Sequence, residues 1–286
     1  MSTKQTLRLL VAVIVLAATI ASASGIFLEA GSGPYQYTSI RGQEITISGK
    51  GLYQHMSAND AIQGIAQDYL TLFLAVPLLL IFGFRNKSSL KQKIFLAGLT
   101  AYFLVTYFFY LCMGMYNECF LLYVIIAGSS FFGFIMQIQD LQKTNTNTWF
   151  GLERPAFAGW FLIANAILIG LMWLSMVIPP IMDGSLYPAS LEHYTTLIVQ
   201  GLDLAILLPV SMISGVLFLK RKSSGYLWTP VYLVFLSFLM LALMAKIIGM
   251  GIKGVNIVPA VYIISVITLL ALAGAWICFR RIKTKG

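Results

Sequence analysis

Two aspartates stand at the heads of long uncharged runs. Sixteen uncharged residues separate Asp68 from Arg85, and sixteen separate Asp203 from Lys220. An ionisable side chain within such a run is costly and usually faces a protein interior or a cavity. Its chemistry there would be that of a cation, proton or amine site. Gln63 and Gln67 lie near the first acid and Gln200 near the second, as polar partners. Gln200 and Asp203 are spaced i, i+3 and share a helix face, as do Asp68 and Thr71. A plainer role competes, because a carboxylate at a helix N-terminus simply favours the positive end of the dipole. Lys246 follows the uncharged run Tyr226 to Ala245. It is either a counter-ion to Asp68, Asp203 or Glu118, or a lysine that snorkels to headgroups. Glu118 sits in the turn Tyr116-Asn117-Glu118, which lines the same mouth or is a turn and nothing more.

Other chemistries find little support. His55 and His193 are the two histidines, and neither lies within an apolar run. That excludes a haem held by two intramembrane histidines, and their spacing matches no metal motif. Neither a Ser-His-Asp or Cys-His set nor a P-loop or dinucleotide fingerprint is present, so no catalytic residue, cofactor or metal is expected. Cys112 and Cys119 flank a tight turn; a disulfide there requires Cα atoms within about 7 Å and an oxidising compartment.

The elements that position these residues follow from composition. Of 286 residues, 59% are hydrophobic and 10% charged, against roughly 25% charged in a soluble domain. That excludes a soluble globular chain and a disordered one. Eight segments reach the ~20 apolar residues that cross a bilayer: about 7–28, 64–84, 94–115, 117–138, 156–179, 196–219, 226–249 and 256–279. Each must be a helix, since hydrocarbon offers no partner to an open strand. The expected fold is an all-α polytopic transmembrane bundle, a single integral membrane domain over residues 1–286.

Fifteen of the 19 basic residues fall on one side of these spans, with both termini, and only Arg41, Lys50, Lys246 and Lys253 do not. The positive-inside rule makes the basic side cytoplasmic and the location a cell membrane. Topology and anionic lipid account for that charge, so nucleic acid is not an expected partner. Among the acids only Asp140 and Glu153 lie on the basic side, leaving an acidic outer face that attracts cations. The first span also resembles a signal peptide, with Lys4 and Arg8 before an apolar run and Ala21-Ser22-Ala23 after it. Retention as a helix is the expectation.

An internal repeat is also expected. The offset is 203 − 68 = 135 at the acid and 220 − 85 = 135 at the basic cluster, and each span carries one proline, Pro77 or Pro209. The prolines do not share that register, lying 9 and 6 residues after their acids. Both spans run in the same direction, so the repeat is parallel, four helices plus four, with halves 1–145 and 146–286. Residues 29–63 form the longest loop. Glycines around Ile45-Thr46-Ile47 within Tyr37 to Tyr53 predict a small hairpin over the outer face.

Four stretches carry a resemblance: RGQEITISGKGLYQH (Arg41 to His55), GIAQDYLTLFLAVPLLL (Gly64 to Leu80), YNECFLLYV (Tyr116 to Val124) and VQGLDLAILLP (Val199 to Pro209). Together they resemble an uncharacterised family of prokaryotic multi-pass membrane proteins. The resemblance implies that the four stretches belong together; it implies no activity and assigns no residue a role.

Three functions compete. One is a transporter or ligand-binding protein with an outer acidic vestibule, using Asp68, Asp203, Gln67, Gln200, Lys246 and Glu118 toward an ion or small molecule. The second is a non-catalytic partner that assembles or stabilises a membrane complex. The third is an enzyme acting on a lipid or envelope precursor, with the same carboxylates as bases. The absence of motif chemistry leans away from an enzyme.

Overall fold

The computed structural model describes residues 2–85, 89–113, 115–150 and 154–283. Lys87, Glu153 and Lys285, which belong to the charge pattern, lie outside the described residues. Among the described residues eight helical spans are long and apolar enough to cross a bilayer. The chain is an all-α helical bundle and a multi-pass membrane protein.

Helix α1 covers Thr3–Phe27. A hairpin follows, β1 (Tyr35–Thr38) antiparallel to β2 (Glu44–Ile47). The second span is α2 (Ala58–Leu70), a π-helical turn (Thr71–Ala75) and α3 (Val76–Gly83). Helices α4 (Leu90–Met113) and α5 (Phe120–Gln142) complete the first half. After residue 145 come α6 (Ala156–Met182), then α7 (Ile198–Leu202), a π-helical turn (Asp203–Leu207) and α8 (Leu208–Leu219). The chain closes with α9 (Ser223–Ile252) and α10 (Ala260–Arg281).

The second span starts at Ala58, one and a half turns before the apolar run predicted it. Ser57 explains this: its hydroxyl accepts from the Asp60 amide, and Asp60 puts negative charge in the first turn. The added turns carry Asn59, which is exposed, and Asp60, which accepts from Gln63 at 3.3 Å. The hairpin likewise starts earlier, at Tyr35, with Ile45 and Ile47 inward and Gly42 taking a positive φ in the loop.

Helices α4 and α9 are the most enclosed, with 67% and 61% of their apolar windows buried against 39% or less elsewhere. They pack on each other at the centre, and α2 lies along α9. In the first half α1 packs on α2, α3 and α5, and α4 on α5; in the second α6 packs on α8 and α10, and α9 on α10. Small residues permit the close approaches: Gly98 of α4 lies against Val231 and Val234 of α9, and Gly159 faces Gly215 between α6 and α8. The first span is integral to this packing, burying Val11, Ile14, Ala18 and Ser22.

Both π turns have the same local cause. A proline at the second residue after the turn cannot donate to the carbonyl four residues back, and its ring crowds that carbonyl. The ladder widens instead, with the Val76 amide reaching Thr71 O and the Leu208 amide reaching Asp203 O. A tyrosine stands at each turn: Tyr102 of α4 bonds Thr71 at 2.9 Å, and Tyr232 of α9 donates to Leu207 O at 2.8 Å.

Candidate functional site

The acidic end of the second span is where polar groups converge. Asp68 is 1% exposed although it sits in an apolar bundle. The Tyr53 hydroxyl, brought down by the cap loop, donates to its Oδ2 at 2.5 Å. That length is typical of a charge-assisted O–H···O bond. On the other side the backbone of Gly25 in α1 approaches so closely that any Cβ there would overlap the carboxylate. Burial, and then the charge of Asp68, hold the Tyr53 hydroxyl well above the usual phenol range, so it remains a donor.

Polar bonds continue around this pair. Gln67 donates to Thr106 of α4 at 3.2 Å, and Tyr110 of α4 reaches Gly64 O at 3.4 Å. Tyr53, Tyr110, Tyr123 and Tyr107 form a ring cluster beside it, with centroids 5.3–6.2 Å apart. Above lies a cavity of about 30 Å³ lined by Tyr53, Asp60, Gln63, Tyr110, Asn117 and Lys246, among others. A water needs roughly 10–15 Å³ measured this way, so the space suits one or two waters or a small ion. Lys246 of α9 therefore faces the site and lies within electrostatic range of Asp60 and Asp68.

The structure separates the two aspartates. Asp203 is only half-buried and takes a 2.8 Å bond from the Trp173 indole of α6. Gln200 reaches Met176 Sδ at 3.8 Å. Neither lines the cavity, and nor do Asp68 and Gln67, although Asp68 meets the lining through its bond from Tyr53. Counting from the prolines explains the difference. The offset is 209 − 77 = 132, and the π turns agree at 203 − 71 = 132. In that register Asp68 meets Gln200 and Thr71 meets Asp203, so each span carries its acid one helical turn from where the other does. Glu118 is exposed on the turn, while its neighbour Asn117 lines the cavity. Cys112 is exposed, Cys119 is buried, and both are free thiols.

The hairpin ties the two halves together at this end. Arg41 donates to Glu192 O at 3.0 Å and lies over the Tyr187 ring; Gln43 donates to Ala189 O at 3.1 Å. His193 Nε2 meets the His55 carbonyl at 3.1 Å, and the Tyr194 hydroxyl accepts from the Ser57 amide. The histidine rings are thus not paired; one ring contacts the other residue's backbone.

Sequence reasoning did not single out Tyr53, Tyr123, Gly25 or Trp173. Tyr53 lies in a loop. The one available signal was Gly49, Gly51 and Tyr53 close together in a stretch otherwise read as a hairpin. Compared with known proteins, the chain matches no family model, no curated protein and no solved structure significantly.

Proposed function

We propose that the protein is a transporter or ion-binding protein of a cell membrane, with Asp68 as the group that takes up a proton or small cation from the acidic, outer side. The single observation behind this reading is a fully buried carboxylate bonded to Tyr53, a residue that lines a water-sized cavity together with Lys246. A structural cap at a helix end would be solvated and would need no such cavity. The small volume favours a proton or an ion over an organic solute. Lys246 is the counter-ion, Tyr53 holds the unoccupied carboxylate, and Asp60 and Gln63 line the way in. The positive-inside bias supports cytoplasmic termini. Breaks in a span at membrane depth suit ion sites, because widened turns leave backbone groups free to adjust. The shared proline-and-π-turn pattern, with a tyrosine at each turn, supports a four-plus-four parallel repeat in which Gln200 stands at the place of Asp68 and Asp203 at that of Thr71. Three of the four stretches that carry the family resemblance meet at this cavity, through Tyr53, Gly64 and Asn117, which supports that grouping as well.

The test is proton entry into proteoliposomes that hold a pH-sensitive dye, driven by an imposed membrane potential. The wild type should acidify faster than protein-free vesicles, and Asp68→Asn should lower that rate at least about tenfold, as loss of an essential proton relay does. Equal rates for Asp68→Asn and wild type would refute the proposal.

A further inference from the structure

Asp68 is 1% exposed and does not itself line the outer cavity. Tyr53 touches both, since it lines the cavity and its hydroxyl bonds Asp68 Oδ2 at 2.5 Å. The backbone of Gly25 closes the carboxylate from the side of α1. Tyr110 also lines the cavity and lies within reach of Asp68, but its hydroxyl bonds Gly64 O at 3.4 Å.

Two glycines make room for the Tyr53 ring. A Cβ on Gly64 of α2 would stand 3.1 Å from Tyr53 Cε2 and Cζ, and one on Gly25 of α1 would stand 3.1 Å from the Tyr53 hydroxyl. A side chain at either place would press on the ring, and glycine lets the backbone approach. The ring belongs to neither helix. It comes from the loop after β2, where Gly49 N donates to Gln54 O at 2.9 Å, Gly51 N to Ala30 O at 2.6 Å and Met56 N to Tyr53 O at 3.0 Å. A tight turn thus inserts a ring from the cap into a slot at the head of the α1–α2 pair. A buried carboxylate that needed only a donor could take one from a neighbouring span, as Asp203 does from Trp173. Asp68 takes its donor from the cap, and that donor also borders the cavity.

Given Asp68 as the group that takes up the ion, we infer that Tyr53 is the selectivity gate of this site: its hydroxyl relays protons from the cavity to the carboxylate, and its ring bars small metal cations until it leaves the slot. The role belongs to the same site and rests on that reading of Asp68. In the relay, a proton-bearing water in the cavity forms a new O–H bond at Tyr53 Oη as the original Tyr53 O–H bond breaks toward Asp68 Oδ2. The water loses one proton, Tyr53 is neutral before and after, and the carboxylate becomes a carboxylic acid. A metal cation moves as a whole and cannot be exchanged along a hydroxyl, so it reaches Asp68 only past a displaced ring.

The test measures proton entry and sodium entry into proteoliposomes at one imposed potential, for wild type, Asp68→Asn, Tyr53→Phe, Tyr53→Ala and Tyr110→Phe, with thermal unfolding as the check on folding. Tyr53→Phe keeps the ring and loses the relay. Its proton entry should fall roughly tenfold, and its sodium entry should stay at the wild-type level. Tyr53→Ala empties the slot. Its sodium entry should rise about tenfold or more, the gain expected when a state populated at ~10% or less becomes the ground state. Tyr110→Phe should leave both rates near wild type. Damage to packing alone would not lower proton entry in one variant and raise sodium entry in the other. The two Tyr53 variants read different ions, so either one that folds decides. Undiminished proton entry in Asp68→Asn would refute the reading of Asp68 and the gate with it. Slow entry in Asp68→Asn beside wild-type proton entry in Tyr53→Phe, or no gain of sodium entry in Tyr53→Ala, would overturn the gate and leave Asp68 as the uptake group.

Discussion

Gly25 leaves no space for a side chain, because a Cβ built on it overlaps Asp68 Oδ2 and stands 3.1 Å from the Tyr53 hydroxyl. Gly25→Ala should therefore push α1 from α2 and cost about 1–3 kcal/mol, read as a lowered unfolding temperature. Helix content should be kept, since alanine favours a helix. A second residue carries a pH dependence. Glu192 is half-buried, strained at φ 50°, and its Oε2 lacks a hydrogen-bond partner. Burial first, then the charge of Asp60, raise its carboxyl above the ordinary range. An acid with a raised folded pKa contributes stability below its unfolded pKa and loses it as pH rises through the folded value. Glu192→Gln should therefore match wild type near pH 4 and exceed it slightly near pH 8. The group is partly solvated, so the gain should stay near 1 °C in unfolding temperature. A gain at low pH instead would contradict this assignment. Asp68 was legible from the sequence because a lone charge in an apolar run declares itself. Tyr53 and Trp173 were not, since a hydrogen bond made across fifteen or thirty residues leaves no mark in local spacing.

Among elements, the spans followed directly from hydropathy, and their ends departed where caps act. Ser57 moved one start outward, and Ser2 with Gln5 forms a capping box that moved another to Thr3. The π turns were only half legible: both prolines were visible, but a proline announces a disturbed ladder without saying whether a kink or a widened turn results. The acids are offset by 135 residues, whereas the prolines and the two π turns are both offset by 132. The hairpin is the element that joins the halves over the site. Arg41→Gln removes its bond to Glu192 O and its stacking on Tyr187, interactions worth together about 1 kcal/mol. Limited proteolysis within residues 184–196 should then quicken roughly fivefold, with circular dichroism unchanged. An unchanged cleavage rate would mean that the cap is held elsewhere.

For the whole molecule, two ends of opposite charge enclose different kinds of space. The acidic end offers a cavity fit for water or an ion, lined by the Tyr53 that bonds Asp68, and the basic end offers one ten times larger among cations. The charge asymmetry was plain in the sequence, but neither cavity was, because a cavity depends on how four helices splay. The enclosure of α4 and α9 at the centre makes them the frame against which the broken spans could shift. The central claim is that Asp68 takes up a proton or a cation in its place. Infrared difference spectroscopy of the reconstituted protein tests it most directly, by following carboxyl carbonyl bands as pH is lowered. The account predicts a band from a buried carboxylic acid that forms on acidification, is displaced by a competing small cation, persists in Asp203→Asn and is missing from Asp68→Asn. An identical spectrum in Asp68→Asn, or loss of the band only in Asp203→Asn, would contradict it.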